Sequence, residues 1–256
     1  MTQPTVFIVG AGPGDPELIS LRGHRLLSSA DVVLYTGSLV PEQMLAACRP
    51  DAEKVDTRSH TLETWIPLLI DRAKVGKTVV RLQDGDPCLY GALNELTRVL
   101  VANELSFEVV PGISAFQLAA ARLKAELTVP EVVQSIILTR VQGRTNVPDA
   151  EDLASLAAHR ASLCLYLSAR HSEVAQAKLL AHYPPETPIA LCYRLGWPDE
   201  EIHLVRLAEM HTRTRELKHI RTVMYLISPA LADNPEARSC LYSPEHAHLF
   251  RVAAAR

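Results

Sequence analysis

Short runs of β-branched and aliphatic residues alternate along the chain with longer amphipathic stretches. Residues 5–10 (TVFIVG), 31–36 (DVVLYT), 77–83 (KTVVRLQ) and 106–111 (SFEVVP) read as strands. Their near-continuous apolar character predicts a parallel sheet covered on both faces, since a strand with one wet face would alternate. Leu62, Trp65, Ile66, Leu69 and Ala73 mark one face of a helix, and Leu89, Leu93, Leu96 and Leu100 mark another. Pro67 must sit in the first turn of its helix or kink it.

A second set of runs follows Pro130: 132–140, 161–168, 188–194, 200–206 and 221–228. Helical patterns around 151–160, 172–183 and 207–217 separate most of them. No helix stands between 188–194 and 200–206, which predicts one antiparallel pair. The pattern therefore gives an α/β chain of two domains, 1–124 and 125–232, with a polar tail over 233–256. The first sheet should be mostly parallel and the second mixed.

Composition changes this picture little. The chain has 256 residues, 48% hydrophobic and 21% charged, an ordinary globular balance. That length buries about 70–75% of the surface an unfolded chain exposes. A formal charge of −3 without a Lys/Arg run gives no footprint for nucleic acid. The longest charge-free stretch, 1–14, is too short for a bilayer and lacks a basic signal-peptide start. No membrane partner is expected, and the cytoplasm is the expected location. The five cysteines (Cys48, Cys88, Cys164, Cys192 and Cys240) form no C-x-x-C pair, and an odd count argues for a reducing compartment. Cys240, His246 and His248 lie close in sequence, but no second thiol completes a zinc spacing, so no metal is expected.

Two loops echo each other. Gly14-Asp15-Pro16 and Gly85-Asp86-Pro87 each stand between a predicted strand and a predicted helix. Asp suits the N-cap, Pro the first helical position, and Gly the turn of the chain. A dinucleotide fingerprint would need G-x-G-x-x-G, yet Gly10, Gly12 and Gly14 are followed by Asp15 where the third glycine belongs. A carboxylate there repels phosphate, and Tyr35-Thr36 end the second strand where a ribose-binding acid is needed. A nicotinamide-dependent oxidoreductase is disfavoured on both counts. Asp15, Asp84 and Asp86 instead place carboxylates at parallel strand ends, beside glycines that let a ligand approach backbone carbonyls. Such a set suits a cationic ligand carrying hydroxyls, of which S-adenosylmethionine is one.

GAGPGDPEL (10–18), YTGSLVP (35–41), RLQDGDPCLYGA (81–92), VVPGISAFQLAAA (109–121), ELTVPEVVQSIILTR (126–140) and YRLGWPDE (193–200) strongly resemble the tetrapyrrole methylases of cobalamin biosynthesis. The likeness runs from about Val6 to about Ser228, and YTGSLVP, LTVPEVVQ and the QGRTNVP segment (142–148) are similar to the branch that methylates C-11. It implies a two-domain tetrapyrrole methylase fold, usually a homodimer, with S-adenosylmethionine as co-substrate and precorrin-4 as acceptor. The same motifs serve cobalt-precorrin-4 in the anaerobic route, and a carrier that keeps the fold without catalysis is disfavoured by the intact donor loops. By matching position the donor would touch Pro13, Asp84, Gly85, Asp86, Leu89, Ser114 and Ala115, then Leu167, Leu195, Thr222 and Met224. The family often has a small residue where Leu195 stands and Met in place of Leu167. Uroporphyrinogen III methyltransferases carry Asp after the tyrosine, where this chain has Thr36, which argues against their reaction.

Methyl transfer to an electron-rich ring carbon needs positioning more than covalent help, and good positioning supplies about 7–11 kcal/mol at best. Asp86 and Ser114 are the candidates for a proton acceptor or orienter, although turn formation explains both equally well. His24 and His60 read as surface or core-edge histidines. An acceptor bearing several acetates and propionates calls for arginines at strand or loop ends. Arg81, Arg122, Arg140, Arg144 and Arg194 qualify, with Arg140 and Arg144 foremost because they flank a loop.

Overall fold

The computed structural model describes residues 5–143, 145–233, 237–244, 246–247 and 249–251. The chain divides into two compact units: Met1–Leu118 with Arg194–Glu200, and Ala119–Tyr193 with Glu201–Arg256.

The first unit runs β1 (Val6–Gly10), α1 (Leu21–Ser29), β2 (Val32–Tyr35), β3 (Glu53–Asp56), α2 (Leu62–Lys74), β4 (Val79–Gln83), α3 (Leu93–Ala102), β5 (Phe107–Val110) and the start of α4 (Ala115–Leu123). Its sheet has the order β3-β2-β4-β1-β5, with every pair parallel. The expected parallel sheet is there, and the strand residues divide by parity. Phe7, Val9, Val33, Val80 and Leu82 pack on one face with Leu27 and Met44. Val6, Ile8, Val32, Leu34 and Val79 pack on the other with Trp65, Leu69, Leu96 and Leu100. Burial on both faces explains the unbroken apolar runs.

Three local expectations need correction. Pro67 lies in the second turn of α2, where the helix gives up one hydrogen bond and still buries Trp65, Ile66, Leu69 and Ala73. α3 starts at Leu93 and leaves Leu89 in the preceding turn, because Tyr90 (φ 57°) and Ala92 (φ 50°) take left-handed conformations. Strand β3 went unpredicted, for EKVD holds one apolar residue. It forms at the sheet edge against β2, where Arg72 grips Glu53 through Nε at 2.8 Å and Nη2 at 2.9 Å.

The second unit contains β6 (Ile136–Arg140), α5 (Leu153–Ala157), β7 (Ser162–Tyr166), α6 (Ser172–Leu180), β8 (Pro188–Tyr193), β9 (Glu201–Arg206), α7 (Met210–Leu217) and β10 (Val223–Ile227). The order is β6-β7-β10-β8-β9, parallel for β6 with β7 and antiparallel elsewhere. The expected mixed sheet and the β8–β9 pair are both present. Leu163, Leu165, Ile189, Leu191, Tyr225 and Ile227 build its core with Leu153, Leu179, Leu207 and Met210. Its buried hydroxyls are satisfied: Tyr183 donates to the Ala161 carbonyl at 2.6 Å, and Tyr225 meets Thr214 Oγ1 at 3.0 Å.

The break between units falls inside α4, slightly before the expected 124/125 boundary. The turn Arg194–Glu200 belongs with the first unit although β8 and β9 belong to the second, which a linear reading does not anticipate.

Candidate functional site

In the first unit, the loops after β1, β4 and β5 emerge at the carboxyl edge of the parallel sheet and are tied together through backbone. Gly85 N–H donates to the Gly12 carbonyl at 2.8 Å, and Gly12 N–H donates to that of Gly85 at 3.2 Å. The Asp86 carboxylate joins two loops: Oδ1 accepts from Cys88 N–H at 2.8 Å and Oδ2 from Gly112 N–H at 3.0 Å. Asp15 Oδ1 accepts from Glu17 N–H at 3.0 Å and caps a short 3-10 helix at Pro16–Leu18, as expected. Asp86 makes the same bond, two residues on, to Cys88 but opens a turn. The helix expected after it starts only at Leu93 with Ala92 as N-cap, so Asp86 is not a helix cap. A Cβ on Gly112 would stand 2.2 Å from the Gly85 carbonyl oxygen and 2.8 Å from Gly10 Cα. Only bare backbone allows this approach.

This edge gathers seven expected donor positions: Pro13, Asp84, Gly85, Asp86, Leu89, Ser114 and Ala115. Ser114 is buried, its N–H donates to Gln117 Oε1 at 2.8 Å, and its carbonyl receives the Gln117 and Leu118 N–H groups that open α4. The arrangement is half of a capping box. Leu195 joins the same unit. A Cβ on Gly14 would meet Trp197 Cδ1 at 2.6 Å and the Leu195 carbonyl oxygen at 3.1 Å. Gln43 Nε2 donates to the carbonyls of Gly14 at 2.8 Å and Gly196 at 3.3 Å, pinning that turn to the GPGD loop. Neither Gln43 nor Trp197 was picked out from the sequence, although Trp197 stands in the YRLGWPDE segment. Arg194 is engaged within its own turn, stacked 3.9 Å over Trp197 and bonded to Asp199 at 2.5 Å.

Charge at this edge is unusual. Burial pushes the Asp84 carboxyl above its ordinary range, partly offset by the Arg81 charge and a 3.0 Å bond from Gln83 Nε2. Burial lowers the Arg81 guanidinium to about 10, with Asp84 opposing the shift. Arg81 is 6% exposed and donates to Thr57 Oγ1 at 3.0 Å and Thr36 Oγ1 at 2.9 Å. Its face lies 4.5 Å from the Trp65 ring, and its Nε has no hydrogen-bond partner. A buried arginine held by two hydroxyls and an indole carries charge that no carboxylate fully neutralises.

In the second unit, strand register brings other expected residues to one end of the sheet. Arg140 pairs with Tyr166 across β6 and β7, and Val223 pairs with Tyr193 across β10 and β8. Leu167, just past β7, is 67% exposed at φ 54°, and Thr222, just before β10, has φ 54° as well. Met224 is buried in β10. Arg140 donates to the carbonyls of Thr145 at 3.2 Å and Asn146 at 2.6 Å, closing the loop after β6. Arg122 is exposed near the end of α4. His24 and His60 are exposed, as the sequence suggested. Arg144 and His248 lie outside the described residues.

The chain matches the family model of the tetrapyrrole (corrin/porphyrin) methylases over residues 5–211. A curated precorrin-4 C(11)-methyltransferase of Pseudomonas aeruginosa is 40% identical over 247 residues, 96% of this chain and 98% of its own. The solved structure of a cobalt precorrin-4 methyltransferase superposes with a TM-score of 0.86 at 38% identity, covering 89% of this chain and 96% of that one. The uroporphyrin-III C-methyltransferase of Thermus thermophilus, solved with S-adenosylhomocysteine, gives a TM-score of 0.74 at 28% identity over 88% of this chain and 98% of that one. The chain belongs to the tetrapyrrole methylases.

Proposed function

We propose that the protein transfers a methyl group from S-adenosylmethionine to C-11 of precorrin-4, a step in building the corrin ring of cobalamin. The observation that carries the donor half is the glycine-built edge of the first unit. Its carbonyls and the carboxylates of Asp84 and Asp86 suit a cationic, hydroxyl-bearing ligand, and its glycines leave backbone open to it. The acceptor half rests on the Pseudomonas aeruginosa relative, whose name specifies that reaction.

The donor supplies a methyl group on a sulfonium, which the ring carbon can take directly. The chain's work is to bind, orient and exclude water. Pro13, Gly85, Leu89, Ala115 and Leu195 shape the donor's surroundings, and Asp84 faces its positive charge. By the resemblance, Leu167, Thr222 and Met224 are further donor positions. Asp86 holds the loops in register, because both of its oxygens already accept backbone N–H groups. Ser114 opens α4 beside them, and neither residue is needed as a base. Arg140, with Arg144 and Arg122, meets the acceptor's carboxylates, while Arg81 adds positive charge from beneath the edge. Arg194 is the weakest of the five, being bonded to Asp199. Action in the cytoplasm as a homodimer completes the proposal.

Cobalt-precorrin-4 is the second reading, favoured by the solved relative named for that acceptor. The test supplies each acceptor in turn with methyl-labelled donor and locates the label by carbon NMR. A product one methyl heavier, labelled at C-11, is expected. Label on another ring carbon would leave the donor assignment standing and overturn the named reaction. Calorimetry should give a donor Kd in the micromolar range or tighter, about −8 kcal/mol, and no NADH binding.

A further inference from the structure

Three ligand-type side chains converge at the β9 edge of the second sheet. Glu201 and His203 stand two residues apart on β9 and so share a face. His219 comes from the turn between α7 and β10. Its Nε2 lies 3.1 Å from Glu201 Oε2, and the Nε2 of His203 lies 2.8 Å from that same oxygen. One ligand atom from each residue falls within 4.8 Å of the others. Backbone and packing hold the three in place. The β8–β9 register pairs Glu201 with Tyr193, and the His219 ring stacks on Tyr193 at 3.7 Å with planes 2° apart. Side-chain exposures of 43% for Glu201, 24% for His203 and 18% for His219 leave the cluster open to solvent.

We propose that Glu201, His203 and His219 bind a divalent late first-row metal ion, zinc foremost, with water completing the coordination. Two imidazoles and one carboxylate are a donor set such ions take, in sites that keep an open position. Ligand bonds of about 2.0–2.2 Å set tetrahedral ligand atoms about 3.4 Å apart. The two Nε2–Oε2 separations must therefore open by only a few tenths of an ångström, within reach of small side-chain rotations.

One neighbouring charge opposes the ion. Arg213 Nη2 stands 3.4 Å from His203 Nδ1 and is bonded to Glu216 at 3.0 Å. Without metal, His203 accepts from Arg213 at Nδ1 and donates from Nε2 to Glu201. Coordination requires its proton to move to Nδ1, which releases Arg213 to Glu216 and leaves the ring neutral. The ion would tie β9 to the turn carrying Lys218 (φ 56°) and Thr222 (φ 54°), the second of these a proposed donor contact. The ion site itself does not depend on that contact.

The test titrates zinc chloride into the full chain after chelator treatment, followed by calorimetry. A C88S/C240S background removes the two exposed thiols, which would also take zinc. One zinc per chain with a Kd of about 1 μM or lower is expected. His203→Ala, His219→Ala and the less intrusive Glu201→Gln should each weaken binding at least tenfold, with circular dichroism confirming that each variant is folded. No binding to the thiol-free chain, or equal binding by a folded Glu201→Gln variant, would overturn the site and leave a metal-free hydrogen-bonded cluster.

Discussion

Asp84 and Arg81 lie three residues apart on and just past β4, and burial moves their pKa values in opposite directions. Burial disfavours the charged form of each, the kind of perturbation that marks candidate functional positions. For Asp84 the folded value lies above the unfolded one. Its contribution to stability is thus complete below the ordinary 3.8 and is lost as pH rises through the folded value. Above the folded value the ionised group is a net cost to folding. Asp84→Asn should therefore keep or raise the melting temperature at pH 7 and flatten the acid side of the stability profile. Donor affinity should fall about ten- to a hundredfold, the worth of one charge-assisted hydrogen bond of roughly 1.5–3 kcal/mol. Calorimetry beside a thermal melt separates the two effects, and unchanged donor affinity would remove Asp84 from the site. Thr36 leaves Arg81 bonded to a hydroxyl at 2.9 Å.

At the scale of elements, the loops after β4 and β5 behave as one because a single carboxylate bonds to both. Asp86→Ala removes the acceptors of Cys88 and Gly112 N–H together. A stability loss of about 2–4 kcal/mol is expected from two such bonds. Donor affinity should drop by more than this fall in stability explains, and affinity that holds while the melting point falls would make Asp86 framework alone. The loop after β6 is closed differently, by Arg140 on two carbonyls. Arg140→Ala should weaken acceptor binding, seen as a raised KM for the tetrapyrrole, and leave the donor Kd near wild type. Equal effects on both ligands would show that this loop does not hold the ring. The two loops also differ in how far the sequence revealed them. Gly-Asp-Pro marked Asp86 as a turn-former, although the turn leads into no helix before Leu93, and its bond to Gly112, 26 residues away, had no signal in the sequence.

At the scale of the whole molecule, both sheets present their expected residues at one end, each by strand register within its own unit. Sedimentation should give a homodimer in solution, and a monomer at micromolar concentration would set that part of the proposal aside. Competition between precorrin-4 and cobalt-precorrin-4 for limiting enzyme gives the ratio of their kcat/KM values. The preferred acceptor is the natural one if the ratio exceeds about tenfold, some 1.4 kcal/mol of transition-state binding.

The strands of both sheets except β3, the buried faces of α2 and α3, and the capping role of Asp15 in the first Gly-Asp-Pro loop were present in the sequence. Periodicity and capping depend on neighbours within a few residues, which a linear reading can see. The glycine motifs likewise carried the family, because close backbone approach tolerates no other residue at Gly112. Contacts between distant segments were decided only by the tertiary structure. It paired the polar strand β3 with β2, assigned Arg194–Glu200 to the first unit, and buried Arg81 between two threonines and Trp65. It also brought His219 to Glu201 and His203 across 15 residues of intervening chain. None of these has a local signature, because each is fixed by packing and register between segments that the sequence holds far apart.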